Sequence, residues 1–326
     1  MAFPFNVFLA AFLSAGITTF ATLPMWRKWC LRTGHVDDPG QRKIHDASIP
    51  LAGGLAVLTG LLLPLLAAVV LLKLNWLPFA PTAPLAHGFD RRDLQLLAIL
   101  LGAVAITVLG WLDDKHELRP LAKFTGQVLI ALLLAAAGVR ITLFVSNPIF
   151  SYAVTMLWLL TVINAFNFMD NMNGLCAGLG AIAAVNFAAL AAGEGQYLVA
   201  LIALLMCGAL AGFLPYNFPN AQAFLGDAGS HLTGYLLAVL AILPHFHTEQ
   251  NPRPLAVLTP LVVLAVPLLD LAWVVVLRWR LGKPFYLGDT NHLSHRLVRA
   301  GLSKTTAVLV IWLIAAVLVV LVQFVG

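Results

Sequence analysis

The chain has 326 residues, of which 61% are hydrophobic and only 10% charged, and its mean hydropathy is +0.92. Soluble domains carry about 25% charged residues, so a soluble enzyme or binding module is excluded and an integral membrane protein is expected. The formal charge of +5 is scattered through short loops with no dense basic face, which argues against a nucleic-acid partner.

The chain opens "MAFPFNVFLAAFL", with no Lys or Arg before Arg27. It lacks the charged start of a signal peptide, so its first apolar run is expected to remain as a span. Apolar runs broken by charge or Pro/Gly clusters predict ten spans: 5–26, 51–72, 94–112, 124–143, 149–167, 175–192, 196–214, 230–245, 255–277 and 305–325. The eighth is short, and only "VSNP" parts the fourth from the fifth. The expected fold is all-α, a polytopic membrane protein of about ten transmembrane helices forming one domain over 1–326.

Loops 27–50, 113–123 and 278–304 hold fourteen of the nineteen Lys and Arg. The positive-inside rule makes that side cytoplasmic and puts both termini outside. Cys30, Cys176 and Cys207 have no CxxC spacing and read as packing residues. "GALAG" at Gly208–Gly212 permits close helix packing, within one chain in preference to a homodimer.

Four segments on the cytoplasmic side carry the chemistry. "WLDDKHELRPLAKF" places Asp113 and Asp114 side by side, suited to metal binding or general-base work. "NAFNFMDNMNGL" supplies Asn164, Asn167, Asp170 and Asn173; amides both donate and accept, suiting a sugar, a base or phosphate-bound water. Its ordinary alternative is a set of helix caps. "AFLGDAGSHLTG" sets Asp227 between glycines at a helix start, where Mg²⁺ and phosphate are commonly held, with Ser230 as a candidate cap. "YLGDTNHLSHRLVRAGLS" offers Asp289, His292, His295 and Arg296; two histidines alone make a poor metal site, and phosphate recognition suits Arg296 better. Each signal alone also fits a plain polar loop. Together they supply Asp for a cation, basic groups for phosphate, amides for a sugar and apolar walls for a lipid.

The segments "RKIHDASIPLAGG", "DDKHELRPLAKF", "NAFNFMDNMNGL", "AFLGDAGS" and "VPLLDLAWVVVLRWRLGKPFYLGDTNHLSHRL" run in this order over residues 42–297. In this the chain resembles the polyprenyl-phosphate N-acetylhexosamine-1-phosphate transferases. The resemblance implies a bacterial inner-membrane enzyme that joins a UDP-sugar to a polyprenyl phosphate at the cytoplasmic face, releasing UMP. It implies Mg²⁺, with Mn²⁺ as a substitute, and Asp227 as its ligand. By position it puts Asp113 and Asp114 near the lipid phosphate, with Lys43, Asn167 and Asp170 on the nucleotide-sugar. Phe224 would stack on uracil, and His292 and His295 would contact the diphosphate.

Two departures stand out. The family usually reads D-G-x-D-G where this chain has "DNMNG", so Asn173 replaces a carboxylate. It usually reads H-x-H-H where this chain has "HLSH", so Ser294 replaces a histidine. The chain thereby resembles the branch that starts surface polymers more than the peptidoglycan translocase. Two rivals are a transporter, for which Asp270 inside span nine is the best residue, and a catalytically silent relative, motivated by Asn173 and Ser294.

Overall fold

The computed structural model describes residues 4–38, 48–74, 76, 92–143, 145–244, 257–284 and 289–325. Lys43 and the glycine-rich end of "FYLG" lie outside the described residues. Helix α1 (Phe5–Thr33) ends at Gly34, whose φ of 66° closes the last turn in the left-handed region. A two-residue hairpin follows, β1 (Val36–Asp37) antiparallel to β2 (Ile49–Pro50), and leads into α2 (Gly53–Lys73). The chain continues as α3 (Asp93–His116), α4 (Pro120–Ala136), α5 (Pro148–Met169), α6 (Leu175–Gly193) and α7 (Tyr197–Phe213). Then come α8 (Gly226–Leu240), the short α9 (Thr259–Val263), α10 (Ala265–Arg280), α11 (Leu293–Arg299) and α12 (Lys304–Val325).

Among the described residues, seven helices are long and apolar enough to cross a membrane. The expected fourth, eighth and ninth spans are the exceptions: α4, α8 and α10 have only 17, 15 and 16 residues. At 1.5 Å per residue a 15-residue helix covers about 23 Å, short of a hydrocarbon core of about 30 Å. Helix α8 has no need to match the bilayer, because it meets protein instead of lipid. Every one of its residues except Asp227 is buried.

The core forms around α8, with α2, α3, α5 and α6 packed on it. Close approach depends on missing side chains. A Cβ on Gly110 of α3 would lie 2.4 Å from the Asp227 carbonyl oxygen, and one on Gly54 of α2 would lie 2.4 Å from the Gly229 nitrogen. The outer helices reverse the soluble pattern, turning Ile17, Leu157 and Leu313 outward, each more than 60% exposed. "GALAG" packs within the chain: added Cβ atoms on Gly208 and Gly212 would strike the Phe12 and Gly16 carbonyls of α1. All three cysteines are free and buried, as expected of packing residues.

Several boundaries move: α1 runs on to Thr33, seven residues past its expected end, and the expected ninth span is split at Leu264 into α9 and α10. Helix α4 stops at Ala136, seven residues before the expected end, because Gly138 turns the chain at φ 93°. Helix α8 starts at Gly226 and not at residue 230, so Ser230 lies inside it and caps nothing.

Candidate active site

The ends of α3, α4, α5 and α8 meet at one end of the bundle. Asp113 and Asp114 are consecutive residues in the last turn of α3, about 100° apart around the helix axis, so their carboxylates take different partners. Asp114 accepts the Asp227 N–H at 2.8 Å and the Ala228 N–H at 3.1 Å, capping α8 from another helix. These are the amides a helix start would otherwise offer to a phosphate. The α8 terminus is therefore already occupied, contrary to the expectation of a free anion site there. A Cβ on Gly226, whose φ is +71°, would lie 2.7 Å from an Asp114 oxygen.

Asp113 faces Lys123. The Lys123 Nζ lies 2.7 Å from Asp113 Oδ2 and 2.7 Å from Asp227 Oδ2, bridging the two carboxylates. The second Asp113 oxygen accepts the Leu118 N–H at 2.9 Å, just beyond the left-handed Glu117 that ends α3. Asn167 completes the cluster, with its Nδ2 donating to Asp227 Oδ1 at 2.7 Å and to Ser230 Oγ at 3.0 Å. Asp170 ends α5 beside it. Burial, and then the negative charge of Asp227, push its carboxyl up to about 8.

The stretch "NAFNFMDNMNGL" is sorted by helical phase. Asn167 and Asp170 face the carboxylates, whereas Phe168 and Asn171 face the start of α11 and the residue before it. There the His292 Nδ1 lies 2.7 Å from Asp270 Oδ2, and the Leu293 N–H donates to Asp270 Oδ1 at 2.6 Å. The Phe168 ring meets the His292 ring edge-on at 5.5 Å, and the Arg278 guanidinium lies 5.0 Å from its other contact point, the Phe168 centroid. Arg278 also pairs with Asp289 at 2.9 Å. Burial alone would raise the Asp289 carboxyl, but the Arg278 hydrogen bond holds it below the ordinary range.

Residues 96–245 match the family described as Glycosyl transferase family 4. The chain is 31% identical over 315 residues to a Bacillus subtilis protein named probable undecaprenyl-phosphate N-acetylglucosaminyl 1-phosphate transferase, covering 94% of this chain and 81% of that one. It is 33% identical over 331 residues to the decaprenyl-phosphate N-acetylglucosaminephosphotransferase of Mycobacterium tuberculosis, covering 94% and 79%. It is 28% identical over 325 residues to the undecaprenyl-phosphate alpha-N-acetylglucosaminyl 1-phosphate transferase of Escherichia coli, covering 93% and 80%. The chain belongs to the polyprenyl-phosphate N-acetylhexosamine-1-phosphate transferases.

In this transferase the sequence-expected residues divide into three groups. Asp113, Asp114, Asn167, Asp170 and Asp227 come together. His292 and His295 sit on the neighbouring segment with ring centroids 6.3 Å apart, and Phe224 precedes α8, its backbone bonded to Pro50 and Gly53. The rest engage elsewhere. The Asn164 Nδ2 donates to Gln127 Oε1 at 2.8 Å, one turn deeper than the cluster, and Arg296 lies over the Trp273 ring at 4.7 Å. The Asn173 Nδ2 donates to the Pro219 carbonyl at 3.0 Å.

The two departures from the family pattern meet indirectly. Ser294 is fully buried and donates to Asn171 Oδ1 at 2.7 Å, inside the same "DNMNG" that carries Asn173. Asp270, the residue on which the rival transporter reading would rest, holds the backbone and ring that begin α11. Sequence reasoning also missed Lys123, which counted only as a loop charge although it stands within "RPLAKF". Asn217 was missed as well; it accepts the Gly174 N–H and donates to the Ala223 carbonyl, tying the α5–α6 turn to the loop before α8.

No set of three or more His, Cys, Asp or Glu fit to hold a metal occurs among the described residues. The oxygen donors still suit a hard cation, since Mg²⁺ commonly takes one or two carboxylates and completes its shell with water and substrate phosphates.

Proposed function

We propose that the chain transfers N-acetylhexosamine 1-phosphate from a UDP-sugar to a polyprenyl phosphate at the cytoplasmic face of the bacterial inner membrane, starting a cell-envelope glycan. A lipid-phosphate oxygen attacks the phosphorus that carries the sugar. The bond from that phosphorus to the bridging oxygen breaks, and UMP leaves with the bridging oxygen. Phosphoryl transfer asks chiefly for positioning and charge stabilisation. The observation that carries this reading is Lys123 joining Asp113 to Asp227 at the mouth of a lipid-embedded bundle.

Within this reading Asp227, with Asp113 beside it, would hold Mg²⁺ or Mn²⁺, which supplies charge neutralisation for the diphosphate. Lys123 keeps the two carboxylates together, and Asn167 fixes the rotamer of Asp227. Phe224 supplies a face for uracil, and His292 and His295 provide hydrogen-bond donors for the diphosphate. Asp114 acts through structure, by fixing where α8 begins.

The test is UMP release by purified protein with polyprenyl phosphate, Mg²⁺ and a panel of UDP-sugars. Asp227→Asn should lose at least ~10²-fold in rate, about 2.7 kcal/mol of barrier. A wild type inert with every sugar, restored by Asn173→Asp, would favour the silent-relative reading instead.

A further inference from the structure

We propose that the transferase holds buried water in a second polar layer, one helix turn below the carboxylates, walled by Gln127, Asn164 and His231. Four helices carry the first layer, and three of them present a polar residue one turn deeper. On α4 the step is Lys123 to Gln127, on α5 it is Asn167 to Asn164, and on α8 it is Asp227 to His231. Residues three or four apart stack on one helix face, so contact in the first layer sets the second layer beneath it. Asn164 and Gln127 are in fact hydrogen-bonded at 2.8 Å.

Two of its three members are fully enclosed and incompletely paired, and Asn164 is half-buried beside them. His231 is 0% exposed and Gln127 is 1% exposed. Both His231 ring nitrogens and the Gln127 Nε2 find no protein partner. Inside a lipid-embedded bundle such groups need an internal partner, and the partner must both donate and accept. Water does both and typically makes about three hydrogen bonds in buried sites. Helices α3, α4, α5 and α8 form a ring in which neighbours pack closely, and α4 and α8 meet across it through the Lys123–Asp227 pair, directly above the second layer.

This hydrated layer gives Asp227 and Lys123 a polar floor in place of hydrocarbon. His231 is accordingly a positioning residue for the cation-binding carboxylate, and this functional half rests on the role proposed for Asp227. The hydration half does not.

Radiolytic labelling of the detergent-solubilised full chain in H₂¹⁸O separates the two. Hydroxyl radicals form at bound water, so His231 should incorporate ¹⁸O faster than Met206, which is intrinsically reactive but sits in the dry core at 1% exposure. Gln127→Leu should slow labelling at His231. Labelling of His231 in the wild type no faster than Met206 would overturn the water site whatever the variant does. In UMP-release assays, His231→Leu should raise the Mg²⁺ concentration for half-maximal rate several-fold, with the KM for UDP-sugar unchanged, and His231→Gln should restore it. A labelled His231 with unaltered Mg²⁺ dependence would remove the positioning role and leave the water. An enzyme inactive in wild-type form would refute the proposed reaction while the labelling result still stood.

Discussion

Replacing Lys123 with Met tests whether the cluster is held together by one cation. The ammonium sits 2.7 Å from carboxylate oxygens of both Asp113 and Asp227, with only 19% of the side chain exposed. At an effective dielectric constant near 20, each contact carries about 6 kcal/mol of gross attraction. Most of that is offset by the desolvation of the three charges. Removing one partner from a buried pair generally costs about 3–5 kcal/mol, because the remaining charge is left uncompensated. Here two carboxylates lose their partner while Asp114 and Asp170 stay close by. We expect Lys123→Met in EDTA to be destabilised by about 3 kcal/mol. A divalent cation bound at the same carboxylates stabilises by mass action, about 2.7 kcal/mol at a hundred times its Kd. Millimolar Mg²⁺ should therefore restore most of the loss in the variant and raise the wild type less. The assay is the thermal midpoint of the purified protein, followed by tryptophan fluorescence, with EDTA or Mg²⁺. A variant as stable as wild type in EDTA, or one that Mg²⁺ leaves unchanged, would refute the reasoning.

Asp270→Asn should lower UMP release by at least ~10-fold, about 1.4 kcal/mol of barrier, with little change in UMP inhibition, because it loosens His292 without touching the nucleotide. The folded Asp170 titrates above its ordinary value of 3.8, at about 8, so it binds more protons folded than unfolded between those limits. Stability from this group is full at low pH and is lost as pH rises toward about 8. Asp170→Asn should flatten the fall of the thermal midpoint across that window; an unchanged slope would refute the assignment. Asn173→Asp places a carboxylate against the Pro219 carbonyl and loses one hydrogen bond, about 1 kcal/mol. Because the contact is exposed, turnover in the UMP-release assay should change by less than about tenfold.

Sequence alone located the apolar runs, since long uninterrupted stretches such as Leu175–Gly193 leave little alternative to a helix. It also located the residues that converge, because Asp113, Asn167 and Asp227 stand where charge interrupts apolar chain. It missed the start of α8, where Gly226, Asp227 and Ser230 read as a polar loop and only the surrounding helices bury Gly226 and Ser230. It could not divide labour between Asp113 and Asp114, since adjacent letters do not reveal that one faces a lysine and the other a distant helix. The structural role of Asp270 was not legible for a related reason: its partner His292 lies 22 residues on, beyond any local pattern. Asn164 was grouped with Asn167 by spacing, although one helical turn moved it to a different layer.

The cap that Asp114 provides reaches across 113 residues of chain to Asp227. At synthesis rates of about 5–20 residues per second, roughly ten seconds separate the emergence of the two. During that interval Asp114 is without the amides it caps, whereas Asp113 already has Lys123, ten residues on. The full carboxylate cluster of a nascent chain is thus absent until α8 packs among helices inserted earlier. A chain that stops before Gly226 lacks the amides that Asp114 caps and one of the two carboxylates that Lys123 bridges. The Asp270–His292 pair beside the cluster forms later still, so α8 must dock before the last segment of the site can close on it.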